Sequence, residues 1–132
     1  MKGKFILADE MEREILDWGQ LGWISRPPNT GAAHITVIEV RFNPGGGHNF
    51  HKHPDQEETI TVIEGQIEQW LEDEKRMLGP GDSIFIGADV VHASFNVSDG
   101  PAVAMVTLGP CVGDGGYEVV EVGDEEPWKS LR

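Results

Sequence analysis

Beyond residue 34 the hydrophobic and polar positions alternate with a period of two. In 34–42, Thr36, Ile38, Val40 and Phe42 fall on one face, and Ile35, Val37, Glu39 and Arg41 on the other, the spacing of a half-buried strand. Further apolar or alternating runs follow at Thr59–Ile63, Ile67–Leu71, Ser83–Ile86, Val90–Val97, Val103–Leu108 and Tyr117–Val122, with one more strand through residues 50–53. Between them stand turn-forming clusters, among them Asn43 to Gly47, Gly79-Pro80-Gly81-Asp82 and Gly113 to Gly116. About eight short strands with Gly and Pro turns predict an all-β sandwich or barrel. A parallel sheet would need crossover helices, and no helical pattern separates the runs. One helical turn is expected near the start, where Asp9 and Glu12 have the form of a capping box ahead of Ile15 and Leu16.

The chain has 132 residues, which fits one domain. It divides into an N-terminal extension (1–33), a barrel core (34–122) and an acidic C-terminal tail (123–132) whose Asp124-Glu125-Glu126 is expected to be solvated. The net charge of −13 argues against nucleic acid, which needs clustered Lys and Arg, and against an anionic membrane surface. Cys111 is the single cysteine, so no internal disulfide can form, and it reads as a small buried residue. Only Phe5 to Ala8 is apolar behind the basic Met1-Lys2-Gly3-Lys4, shorter than the ~7–15 residues of a signal peptide core. A cytoplasmic protein is the resulting expectation.

The chemistry concentrates in a few side chains. His51 and His53 stand two apart, so on a strand both imidazoles point to one face. His92 lies in another strand run, and the adjacent carboxylates Glu57 and Glu58 open the run between. Three imidazoles and a carboxylate suit one divalent transition metal: Fe, Mn, Ni, Zn, Co or Cu. The mixed shell disfavours Ca²⁺ and Mg²⁺, and four protein ligands on an octahedral ion leave two positions open. Burying such a set without a cation or partners would be costly. His34 and His48 are set aside as isolated histidines. Gln69 and Met105 are candidates to touch a substrate, whereas Trp70 reads as core. Trp18 and Trp23 could fix the N-terminal segment against the barrel or against a second subunit.

Two stretches resemble the motifs of the cupin superfamily. Gly45-x5-His51-x-His53-x4-Glu58-x6-Gly65 is similar to the first at every defining position. Gly81-Asp82-Ser83-Ile84-Phe85-Ile86-Gly87-x4-His92-x3-Asn96 is similar to the second, with Gly87 where a proline is usual and Asp89 in place of a common glycine. The resemblance implies a small single-domain cupin, a double-stranded β-helix barrel holding a metal by His51, His53, Glu58 and His92. Adjacent strand residues face opposite sides, and the family spacing to Gly65 selects Glu58 over Glu57. It further implies a small-molecule ligand and a homodimer. The activity expected is that of a metal-dependent enzyme on an oxygen-rich substrate (a carboxylate, keto acid or enediol), with a dioxygenase favoured. The alternatives are an isomerase or lyase on a sugar or keto acid, or a cupin that binds or senses a ligand without turnover. A second acid or base near the metal would favour isomerisation, with Glu39, Arg41 and Gln69 as the residues to inspect.

Overall fold

The computed structural model describes residues 2–132 and is built almost wholly of antiparallel strands. In chain order these are β1 (Glu12–Leu16), β2 (Gly19–Ser25), a helical turn (Pro27–Thr30), β3 (Thr36–Phe42), β4 (Gly47–Lys52), β5 (Glu57–Glu64), β6 (Ile67–Leu71), β7 (Glu74–Leu78), β8 (Ser83–Ile86), β9 (His92–Phe95), β10 (Ala102–Gly109) and β11 (Val120–Glu121). They form a six-stranded sheet, β1-β2-β3-β10-β5-β8, and a five-stranded sheet, β11-β4-β9-β6-β7. The two sheets face each other as a double-stranded β-helix. Among the described residues no helix is long and apolar enough to cross a membrane.

The alternation read in residues 34–42 is the alternation of β3. Thr36, Ile38, Val40 and Phe42 are buried, and Arg41 is exposed. The barrel interior is completed by Leu21, Trp23, Ile60, Val62, Ile67, Ile86, Val106 and Leu108. Tight mutual packing of these apolar side chains is the main favourable term holding the sheets together.

The N-terminal reading needs correction. Asp9 and Glu12 do not start a helix. Residues 12–16 pair with 19–23 in a hairpin, Glu12 opposite Trp23 and Leu16 opposite Gly19, and β2 in turn pairs with β3. The local signal survives as a single turn, with the Glu10 N–H donating to the Leu7 carbonyl at 3.0 Å. Pairing with a preformed sheet edge satisfies more backbone groups than an isolated two-turn helix, which is marginal alone. The segment 1–33 thus contributes two strands to the larger sheet.

A second apolar cluster lies on the outer face of the five-stranded sheet: Phe50, Trp70, Ala93, Phe95 and Val122. The C-terminal residues cover it. Trp128 stacks on Phe50 at 5.8 Å, and Arg132 lies 3.6 Å over Phe95 while pairing with Glu68 at 3.0 Å. Asp124, Glu125 and Glu126 are exposed, as the sequence suggests.

Candidate metal centre

Three elements bring four donors to one point. β4 carries His51, with His53 one residue beyond its end; β5 carries Glu58; β9 opens with His92. β4 and β9 are neighbours, and their register sets His51 directly opposite His92. On β5, Glu57 is exposed and Glu58 buried, so strand alternation alone turns Glu58 inward. The ring centroids lie 4.2 Å (His51–His92), 5.1 Å (His51–His53) and 5.1 Å (His53–His92) apart. Glu58 Oε1 stands 2.8 Å from His92 Nε2 and 3.3 Å from His53 Nε2.

Each ring is oriented from behind. His51 Nδ1 meets the Asn49 carbonyl at 2.6 Å, His53 Nδ1 the Glu118 carbonyl at 2.6 Å, and His92 Nδ1 the Val90 carbonyl at 3.0 Å. A carbonyl can only accept, so each Nδ1 carries the proton, and in the neutral ring Nε2 is left with a bare lone pair. That arrangement fixes the tautomer a metal needs. Gln56, fully buried, strengthens this backing. Its amide donates to the Pro110 and Gly116 carbonyls at 2.8 and 3.0 Å, and its oxygen accepts from the Glu118 N–H at 3.1 Å. It thereby holds the loop that supplies the His53 acceptor.

His53 Nε2, His92 Nε2 and Glu58 Oε1 are buried against one another and find no hydrogen-bond partner outside this cluster. Orphaned buried polar atoms are rare and expensive, and here three of them converge. The ligating nitrogens of His51, His53 and His92 all lie within 4.8 Å of one another. A divalent cation among these atoms would satisfy all three orphans together, so the residues present fit one.

The electrostatics agree with that fit. Burial pushes Glu58 towards protonation, but the facing imidazoles of His53 and His92 outweigh it and hold the carboxyl at about 2. Burial, with the neighbouring histidines, holds His51 well below the ordinary imidazole value. Burial opposes a proton on His53, yet Glu58 opposite and the Glu118 carbonyl outweigh it and raise its pKa. A proton at His53 Nε2, favoured by Glu58, competes with a metal for the same lone pair. Metal affinity is therefore expected to fall as the pH drops from about 7.5 to about 5.5, by about tenfold per unit for each proton displaced. Calorimetry in buffers of different ionisation enthalpy counts those protons; an affinity that does not change over this range would contradict the competition.

The site forms part of the wall of a cavity of about 400 Å³. His51, His92 and Glu58 line it on one side, and Trp18, Leu21, Trp23, Ile38, Val40, Ile60, Val106 and Tyr117 build most of the rest. His48 belongs to this wall as well. Its ring lies parallel on His51, 3.4 Å between centroids at 6°, and its Nε2 is 3.0 Å from a carboxylate oxygen of Glu121. His48 and His51 are an odd number of residues apart, which on a regular strand puts them on opposite faces. A register shift between them in the β4–β9 pairing brings both to the cavity side. Nothing in the local sequence marks that irregularity.

The two proposed substrate residues lie elsewhere. Met105 alternates with the buried Ala104 and Val106 of β10 and so turns to the outer face of the six-stranded sheet. Gln69 does face inward, but Ser94 stands before it and donates to its oxygen at 2.6 Å, while its amide donates to the Trp70 carbonyl at 3.0 Å. Ser94, not Gln69, reaches the cavity. Glu39 and Arg41 pair with each other at 2.7 Å away from the cavity wall. Trp70 packs in the outer cluster, His34 is exposed, and Cys111 is half-buried against the Ile35 carbonyl at 3.2 Å. Trp18 and Trp23, whose place the sequence left open, are cavity walls.

Comparison with known proteins agrees with this architecture. The family profile described as "Cupin domain" matches residues 38–108, and the chain belongs to that family. It is 28% identical over 110 residues to the protein named polyketide synthase CurC of Streptomyces cyaneus, covering 83% of this chain and 71% of that one. It is 28% identical over 94 residues to germin-like protein subfamily 1 member 7 of Arabidopsis thaliana, covering 65% of this chain; the match spans 41% of the relative's length. Among solved structures it is similar to KdgF from Halomonas sp., with a TM-score of 0.75, 21% identity, and coverage of 86% of this chain and 98% of the other. That likeness is one of fold.

Proposed function

We propose that the protein is a metal-dependent enzyme acting on a small molecule that chelates the metal through oxygen atoms. The observation that carries this reading is the set of three buried donors, His53 Nε2, His92 Nε2 and Glu58 Oε1, which lack a partner outside their cluster and meet with His51 at the wall of a cavity. His51, His53, Glu58 and His92 would hold one divalent transition ion. When bound, that ion polarises a carbonyl and stabilises negative charge as it develops. With one liganding carboxylate the site keeps a net positive charge, which favours a carboxylate, keto acid or enediolate. The surface charge of −13 does not oppose this at contact range, since exposed charges are screened beyond about 8 Å at physiological salt.

The chain's own residues set the conditions. Much of the cavity wall is apolar. Tyr117, its ring 5.2 Å from that of His53, is held as a neutral phenol by burial and by the charge of Glu58, and it presents no competing anion to the site. A His and carboxylate shell with two open positions suits Fe(II), which supports dioxygenase chemistry as the first reading.

The His48–Glu121 pair supports a second reading. It places an imidazole in the same cavity whose Nε2–H is held by the Glu121 carboxylate, which leaves His48 Nδ1 as the nitrogen able to take a proton and return it, as isomerisation or lyase chemistry requires. An oxygen electrode separates the two. Fe(II)-loaded protein given a 1,3-diketone such as acetylacetone is expected to consume dioxygen. Turnover of a keto acid under nitrogen, abolished in His48→Gln, would shift the assignment to proton transfer. Binding with no turnover in either assay would leave a ligand-binding cupin.

We further propose a homodimer. β1 is an edge strand with Ile15 largely exposed on it, which suits pairing with a second copy. Sedimentation is expected to give twice the chain mass of 14.5 kDa; a species at the monomer mass would contradict this.

A further inference from the structure

Residues 38–108, the span matched by the family, contain all four donors. Much of the remaining cavity wall comes from outside that span. The β1–β2 hairpin lays Trp18, Leu21 and Trp23 along one side, and Tyr117 stands between the hairpin and the metal centre, 5.7 Å from Trp23 and 5.2 Å from His53. Val40 and Ile60 belong to the same lining.

The polar groups nearest the Trp23 ring are paired with one another. The Trp23 indole N–H donates to Glu14 at 3.2 Å, and the Arg26 guanidinium lies 3.9 Å over the same ring while pairing with Glu12. These contacts fix the ring's plane and leave its carbon surface turned to the cavity. The hydrogen-bonding groups of the wall are the donor cluster, Ser94, the His48–Glu121 pair and Tyr117, with Glu14 and Arg26 beside Trp23, and aliphatic and indole surface separates them. A polyol laid against the Leu21, Val40, Ile60 and Val106 surface would bury hydroxyls without partners, each at a cost. An aromatic or branched aliphatic body would instead displace water from apolar surface, and the cavity volume of about 400 Å³ suits a small ligand.

We propose that the cavity takes a molecule with an oxygen-chelating head, such as a 2-oxo acid, on an apolar body the size of a ring, and that the N-terminal hairpin selects that body. The proposal rests on the metal-dependent reading above and adds the substrate class to it.

Protein loaded with Zn²⁺, its metal content confirmed, can be titrated by calorimetry with benzoylformate, pyruvate and 2-oxogluconate, which share a 2-oxo acid head. Benzoylformate is expected to bind about tenfold to a hundredfold more tightly than pyruvate, and 2-oxogluconate no more tightly than pyruvate. Trp18→Ala is expected to remove most of the benzoylformate advantage while keeping zinc content and pyruvate binding, and Trp18→Phe to retain it. Val40→Thr, which keeps side-chain volume and adds a hydroxyl, tests the wall without the hairpin and should lower the same ratio. Equal binding of 2-oxogluconate and benzoylformate, or an advantage untouched by both wall substitutions, overturns the proposal while zinc retention leaves the metal reading standing. A protein that keeps no zinc and binds none of the three overturns both.

Discussion

Protein carrying alanine at both His51 and His92 is expected to retain no metal after purification without chelators, where the unaltered protein retains about one ion per chain. Loss of a partner behind a metal ligand already costs about 10–100-fold in affinity. Removing two ligands outright should therefore exceed about ten-thousandfold, beyond what survives dialysis. The pair is chosen because the two residues face each other across β4 and β9, and their loss empties one wall of the site. His34→Ala, at an exposed position, serves as the control and should keep its ion. Elemental analysis with far-ultraviolet circular dichroism reads both metal and fold. A folded double variant with undiminished metal would show that the ion sits elsewhere.

The second large effect concerns the glycines that bracket the first motif. Gly65 adopts φ +75° between β5 and β6, and a Cβ there would stand 2.4 Å from the Pro101 carbonyl oxygen. Gly45 adopts φ +78°, with nothing within 4 Å of its Cβ position. Gly45→Ala should cost only the left-handed backbone strain, about 1–2 kcal/mol. Gly65→Ala adds a clash with backbone that cannot rotate away, about 1–3 kcal/mol more, for a total near 2–5 kcal/mol. Denaturant titration compares the two directly. Equal losses would contradict the close approach of Gly65 to the Pro101 backbone.

What the sequence disclosed follows the range of the physics involved. The inward face of β3 was legible because a strand repeats every two residues, and Thr36 to Phe42 keep that period without a break. The choice of Glu58 over Glu57 was legible for the same reason, aided by the spacing to Gly65. The β1–β2 hairpin was not, because its strands gain their stability from pairing with β3, far along the chain, while Asp9 and Glu12 give a local signal of the opposite kind. Met105 was misplaced because residues 102–108 are almost all apolar, so the run carries no alternation to show which side faces in. His48 was passed over because an irregular register, invisible in the residues themselves, reverses its face. The cavity wall depends on such long-range placements, and so the convergence of His51, His53, Glu58 and His92 was readable where the wall around them was not.

The proposed function requires one cation among His51, His53, Glu58 and His92. Anomalous diffraction at a transition-metal edge, from crystals grown without chelator, tests it most directly. A single peak is expected, bounded by the three Nε2 atoms and the Glu58 carboxylate. A peak instead between His48, His51 and Glu121, where the structure places a second group of potential ligands, or no peak at either place, would contradict it.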